Sequence, residues 1–331
     1  MNPYLNVLMS VIILYFASLL YNQYKLHEKW NDDVEHYNIV KQFLIEDNTN
    51  AIQNYDKNKK PIMWIHLDYK VNAREWENFY SRNSNKLNQP YLYLTLKSII
   101  NKCGNDFKIA LIDDTSFQYL LPGFNIDFTK LAHPIKEHYR QIALYKLLYE
   151  YGGFLVPCSF LCFKSLKPLY ELGLQQKEMF VVENKINYYS KYKYAPDLDF
   201  IGCNKQSNVM QRVIQFMEIL NSKDYTTQQD FIGQMQEQFR RMINEGMITA
   251  INSKHIGVQK KNKEPVDISE LFRSNEIDFC EQTYGIYIPY KELLVKSKFQ
   301  WFLRLNVQEV LTSNTIIAKH MLSHCYSQSF K

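Results

Sequence analysis

The chain has 331 residues, 46% of them hydrophobic, and a formal net charge of +5. That length supports one large α/β domain with a sizeable core, or two small domains. The charge is too small and too dispersed for a nucleic-acid partner, and the six cysteines form no C-x-x-C pair, which excludes a zinc ribbon or a thioredoxin-like motif.

Residues Tyr4 to Tyr24 carry no charge. About 20 apolar residues cross a bilayer as a helix, and Tyr4, Tyr21 and Tyr24 sit like interfacial aromatics. Residues 1–24 therefore read as a single-pass transmembrane anchor, since no basic region precedes them as a signal peptide requires. Lys25 and Lys29 follow the span and no Lys or Arg precedes it, which by the positive-inside rule places the C-terminal part in the cytoplasm. The chain has no N-x-[ST] sequon, which leans the same way. Residues 25–60 are polar and mixed in charge and read as a stalk, ending in "DNTNAIQNYDKNKK" before Pro61.

From there strands and helices alternate. "PIMWIHLDY" (61–69) reads as a buried strand and "QPYLYLTLKSIINKCG" (89–104) as an amphipathic helix with a glycine stop. "FKIALIDD" (107–114) is a second strand, "HYRQIALYKLLYEYGG" (138–153) a helix, and "FLVPCSFLCF" (154–163) a third strand weakened at Pro157. "EMFVVEN" and "DFIGCN" are further strands, and 207–220 and 226–246 are helices, the first capped by Ser207. This pattern predicts a mostly parallel sheet flanked by helices, with ligands at the carboxyl ends of the strands. After about residue 255 a strand "TYGIYIPY" and two amphipathic helices, "SKFQWFLRLNVQEVL" (297–311) and "TIIAKHMLSHCY" (315–326), suggest a C-terminal helical lobe over 256–331.

The ordered set "IMWIHLDY", "YLYLTLKSI", "FKIALIDD", "ALYKLLYEYGG" and "DFIGCNK" resembles the GT-A-type glycosyltransferases with a DXD sugar-binding motif, the capsular-polysaccharide and mannosyltransferase-like families. Within that group it is most similar to the glycosyltransferase-like proteins of large DNA viruses. The resemblance covers 61–220. It implies a GT-A-like, Rossmann-type nucleotide-sugar domain over 61–255, a UDP- or GDP-linked sugar donor, a glycan or glycoprotein acceptor, hexose transfer, and a lumenal Golgi- or ER-type location. It also implies a divalent cation, because two acids one residue apart on a strand face one side and can hold a metal that neutralises a diphosphate.

The chain departs from the pattern where that chemistry sits. Counted back from Gly152 and Gly153, the DXD acids fall on Pro157 and Ser159, the sugar-gripping helix Asp on Gln141, and the helix Arg on Leu144. Neither Pro nor Ser supplies a charge to a metal. The donor-binding candidates are His66, Asp113, Asp114, Arg140, Gln141, Gly152, Gly153, Pro157 and Ser159. Manganese or magnesium would need Asp113, Asp114 or His324 in place of the lost acids. A metal-independent site built on Arg140, His66 and backbone N–H groups is one outcome, and a catalytically inactive structural or binding module is the other.

Each candidate also has an ordinary structural role. Strand-end acids close turns, a histidine in an apolar strand is commonly a satisfied core residue, and glycines stop helices. His320 and His324 are spaced i, i+4, as two ligands of one metal would be, without a supporting Glu. Trp301 and Phe302 read as core anchors. "YYSKYKY" (188–194) reads as a sugar-stacking face or a surface loop.

Overall fold

The computed structural model describes residue 9 and residues 13–21, 60–67, 89–185, 192–223 and 228–326. Two units are distinguished, Met1–Leu44 and Ile45–Lys331. In the first, residues 13–21 are helical and expose Leu14, Tyr15 and Phe16. Among the described residues no helix is long and apolar enough to cross a membrane, so the anchor expected over 4–24 gains no support. The rest of that span, and the stalk up to residue 59, lie outside the described residues.

Six strands make the main sheet of the second unit: β1 (Ile62–His66), β2 (Lys108–Ile112), β3 (Gly153–Leu155), β5 (Met179–Lys185), β6 (Tyr194–Cys203) and β7 (Thr249–Ile251), in the order β2-β1-β3-β6-β5-β7. Strand β1 pairs parallel with β2 and β3, and β5 pairs parallel with β7. Only β6 runs against its neighbours β3 and β5. A second sheet pairs β4 (Phe160–Cys162) with β8 (Gly285–Tyr287).

The expected strand over 154–163 is therefore two strands in two sheets. Pro157 has no N–H for the ladder, and the chain turns at Cys158 and Ser159. β6 begins at Tyr194, five residues before the expected "DFIGCN" segment. Of "YYSKYKY", residues 188–191 lie outside the described residues, while Tyr194 opens β6 and Tyr192 packs against the Arg240 guanidinium.

The helices follow the apolar spacing. They are α1 (Tyr91–Cys103), α2 (Ser116–Leu120), α3 (Ile135–Tyr151), α4 (Lys167–Leu174), α5 (Asn208–Asn221), α6 (Gln228–Asn244), α7 (Ile268–Leu271), α8 (Tyr290–Val295), α9 (Gln300–Leu303), α10 (Val307–Thr312) and α11 (Ile316–Tyr326). Ser207 caps α5 by accepting from the Met210 N–H at 3.3 Å. The single helix expected over 297–311 is broken at Asn306, which caps α10 in a capping box with Glu309. On one sheet face Leu155, Val181 and Ile201 pack in a cluster with buried residues of α3, α5 and α6. On the other, Phe154, Phe180 and Phe200 pack with Phe160 and Tyr170 in tilted and edge-to-face contacts. The C-terminal lobe expected over 256–331 contributes β8 to the second sheet, so its strand is integral to the unit.

Candidate functional site

The strand order defines a topological switch point. From β1 the chain crosses to β2 on one side, then to β3 on the other. The crevice outside the carboxyl ends of β1 and β3 is where open α/β sheets take ligands. His66 ends β1, and Asp114 follows β2 by two residues. Helix α3, the crossover into β3, brings Arg140 and Gln141 to the same rim.

Asp114 is the hub of this rim. Arg140 donates to it twice, Nε to Oδ1 at 2.7 Å and NH2 to Oδ2 at 2.6 Å. His66 Nε2 lies 3.0 Å from Oδ1, and Lys136 Nζ 3.6 Å from Oδ2. Burial alone would raise the Asp114 pKa, but the hydrogen bonds and charges of Arg140 and His66 hold it well below the usual carboxylate range. Adjacent helix positions diverge by about 100°, so Gln141 turns the other way and donates to the Leu198 carbonyl at 2.8 Å. Tyr145, one turn on, donates to the same carbonyl at 3.0 Å.

Leu198 lies between Asp197 and Asp199 on β6. Residues two apart on a strand face one side, so both carboxylates project together. The β3–β6 ladder pairs Gly153 with Cys203 and Leu155 with Ile201. That ladder ends at Leu155 and Ile201, and the chain then turns away at Cys158 and Ser159, so the pair lies further along β6 than the β3 pairing reaches. Two acids one residue apart are therefore present on the strand that neighbours β3. Asp199 binds Lys291 Nζ at 2.8 Å, and Asp197 accepts from the Asn184 amide and from the Asp199 N–H. Burial raises both carboxylates. For Asp199 the Lys291 charge and hydrogen bond, with a hydrogen bond from Gln141, reverse this and hold it below its ordinary value. Asp197 rises to about 6, through burial first and then the Asp199 charge. Two carboxylates pushed apart in this way are suited to different proton states at one site. A cavity of about 180 Å³ is walled by their partners Asn184 and Lys291, with Tyr287, Val258 and Leu271.

The other candidates fall elsewhere. The Asp113 carboxylate accepts from the backbone and hydroxyl of Thr115 and Ser116, a turn-closing role. Gly152 and Gly153 lie at the amino end of β3, on the opposite edge of the sheet. There they line an open cavity of about 670 Å³ with Lys60, Lys167 and Lys205. Both have positive φ, and a Cβ on Gly153 would stand 2.3 Å from the Ile62 carbonyl, so their form serves the helix-to-strand turn. Pro157 and Ser159 are buried beyond β3, and the Ser159 hydroxyl has no hydrogen-bond partner.

His320 and His324 stack on Phe163, with centroids 5.0 and 4.2 Å away. Burial lowers both, and burial with the His320 and Lys102 charges takes His324 to about 4. No group of three or more His, Cys, Asp or Glu side chains able to hold a metal gathers among the described residues. Asp113, Asp114 and His324 are each engaged in other contacts and do not gather at one point. The residues at 157 and 159 do not fit a divalent cation either.

No protein-family model matches the chain, and no curated protein matches it. Among solved structures the chain is similar to one described as "PaToxG Glycosyltransferase", at 15% identity and a TM-score of 0.31, over 65% of this chain and 83% of that one. At that TM-score the likeness adds no weight, and the site stands on its own geometry.

Proposed function

We propose that the Ile45–Lys331 unit is a glycosyltransferase-type domain of GT-A-like fold that takes a nucleotide sugar, UDP- or GDP-linked, in the crevice outside β1 and β3. One observation carries this. The crossover helix, two strand ends, the antiparallel strand and α8 bring two polar groups, Lys136–Arg140–His66–Asp114 and Gln141–Asp199–Lys291, to the switch point of the sheet. Fixed donors and cations in a partly buried crevice suit a ligand that carries both sugar hydroxyls and phosphate. A hexose as the transferred group, a glycan or glycoprotein as acceptor, and a membrane tether through residues 4–24 belong to the same proposal and rest on the sequence.

Calorimetric titration of the full chain with UDP and GDP tests it. Binding that weakens in Gln141→Ala and Lys291→Ala supports the reading, and no binding of either nucleotide removes it. A second reading, a non-catalytic binding module, is favoured by one feature. Arg140 is held on Asp114 by two hydrogen bonds, so it is committed to the protein before any ligand arrives. Nucleotide binding without hydrolysis or transfer of any common nucleotide sugar would select that second reading.

A further inference from the structure

We propose that Lys291 is this site's own cation, standing against Asp197 and Asp199 where a divalent metal would otherwise sit, so that a phosphate-bearing ligand is taken without metal. The proposal rests on the reading of this rim as a nucleotide-sugar site, but the lysine's place is independent of that reading.

The acid pair has the spacing of a two-carboxylate metal site, on β6, the strand that neighbours β3 in the sheet. A hard divalent cation would need both carboxylates and further oxygens. Here the Lys291 ammonium occupies the open side of Asp199 at 2.8 Å, and Asn184 holds the Asp197 carboxylate. A metal bridging the two acids would have to displace the ammonium or sit beside a like charge.

The lysine is also free to serve a ligand. Its side chain is 65% exposed, whereas Arg140, the rim's other strong cation, is 13% exposed and already paired. An ammonium has three N–H donors. One satisfies Asp199, and the remaining two can meet phosphate oxygens arriving from the crevice. Lys291 is the second residue of the short helix α8, which follows β8. The Tyr91 and Ser159 hydroxyls are fully buried and have no partner in the structure, which leaves polar groups unsatisfied next to this lysine's helix. The Ile288 N–H, three residues before Lys291, donates to the Ser159 carbonyl and fixes that approach.

The experiment is a pair of titrations on the full chain, wild type and Lys291→Ala, with Lys291→Met as the variant that keeps the side-chain stem. Mn²⁺ alone is followed by the loss of the free-ion electron paramagnetic resonance signal. UDP is followed by calorimetry in EDTA and in Mn²⁺. Wild type is expected to take up no Mn²⁺ at this site and to bind UDP within about twofold equally in the two buffers. Both lysine variants are expected to take up Mn²⁺, lost again on adding Asp199→Asn. They should bind UDP about tenfold more weakly in EDTA, with recovery in Mn²⁺, since a charge-assisted hydrogen bond contributes on that order. Mn²⁺ uptake by wild type that Asp199→Asn abolishes would overturn the proposal. So would lysine variants that bind no Mn²⁺. Absence of UDP binding by wild type in both buffers would instead overturn the nucleotide-sugar reading, and the Mn²⁺ titrations would still decide the lysine's role.

Discussion

Asp114→Asn removes the charge at the centre of the rim and keeps its shape. It takes from the Arg140 guanidinium, 13% exposed, and from His66, 11% exposed, the carboxylate they share. Removing one partner of a fully buried pair costs about 3–5 kcal/mol. Asp114 keeps 18% exposure and Asn still accepts one hydrogen bond, so the loss here is about 2–3 kcal/mol. At about 2–4 °C per kcal/mol, the scale for domains of somewhat smaller size, the Tm at neutral pH falls by roughly 4–12 °C at most. The pH dependence has a definite sign. The folded pKa of Asp114 is depressed, so its contribution is complete above the ordinary aspartate value of about 3.9 and is lost as pH falls towards the folded value. The gap between wild type and variant should therefore narrow below about pH 4. Scanning calorimetry at neutral and acid pH reads both effects. A variant that melts within about 1 °C of wild type at neutral pH refutes the view that this network is tightly coupled to the fold.

Asp197 gives the opposite sign, because its folded pKa is raised to about 6. Its ionisation opposes folding as pH rises from the unfolded value through about 6, so Asp197→Asn should raise the Tm near pH 8 and leave it unchanged near pH 4. An equal shift at both would contradict the assignment. Gly153→Ala forces a Cβ to 2.3 Å from the Ile62 carbonyl at a φ of +107°, and should cost more than about 2 kcal/mol in urea unfolding. A near-neutral result would mean the β1–β3 approach is looser than described. Of the six cysteines only Cys280 is partly exposed, so an aromatic disulfide reagent should find one fast thiol in the native chain and six after denaturation. Two or more fast native thiols would show that the core around Cys103, Cys158 and Cys162 opens readily.

The framework was legible because its signals are local. Apolar runs marked β1, β2 and β5, the three-and-four spacing marked α1 and α5, and Ser207 marked the start of α5. The β3–β4 break was half legible. Pro157 signalled weakness, but the assignment of the two halves to different sheets depends on pairing with β8, more than a hundred residues away. At the site, His66 and Asp114 lie at the strand ends where the sequence placed them, with Arg140 and Gln141 beside them on α3, whereas Asp113 closes a turn and 157–159 are buried. Gly152 and Gly153 lie away from this rim, because a helix-to-strand turn lies at the opposite end of β3 from a strand-end site. The acids were the larger miss. The signal was present in "PDLDF", two aspartates one residue apart in a strand. Its place next to β3 depends on the antiparallel pairing of β6, a contact between segments about 45 residues apart that has no local signal. Lys291 carries no local signal at all, since its partner lies 92 residues earlier.

The most direct test of the account is where a nucleotide sugar touches the chain. Photo-crosslinking of the full chain with an azido-uridine diphosphate sugar, followed by peptide mass spectrometry, reads that location. The account predicts labelled peptides containing His66, Arg140 or the 197–199 segment, with labelling suppressed by excess UDP. Competable labelling confined to the opposite edge, around Lys60, Lys167 and Lys205, would contradict it.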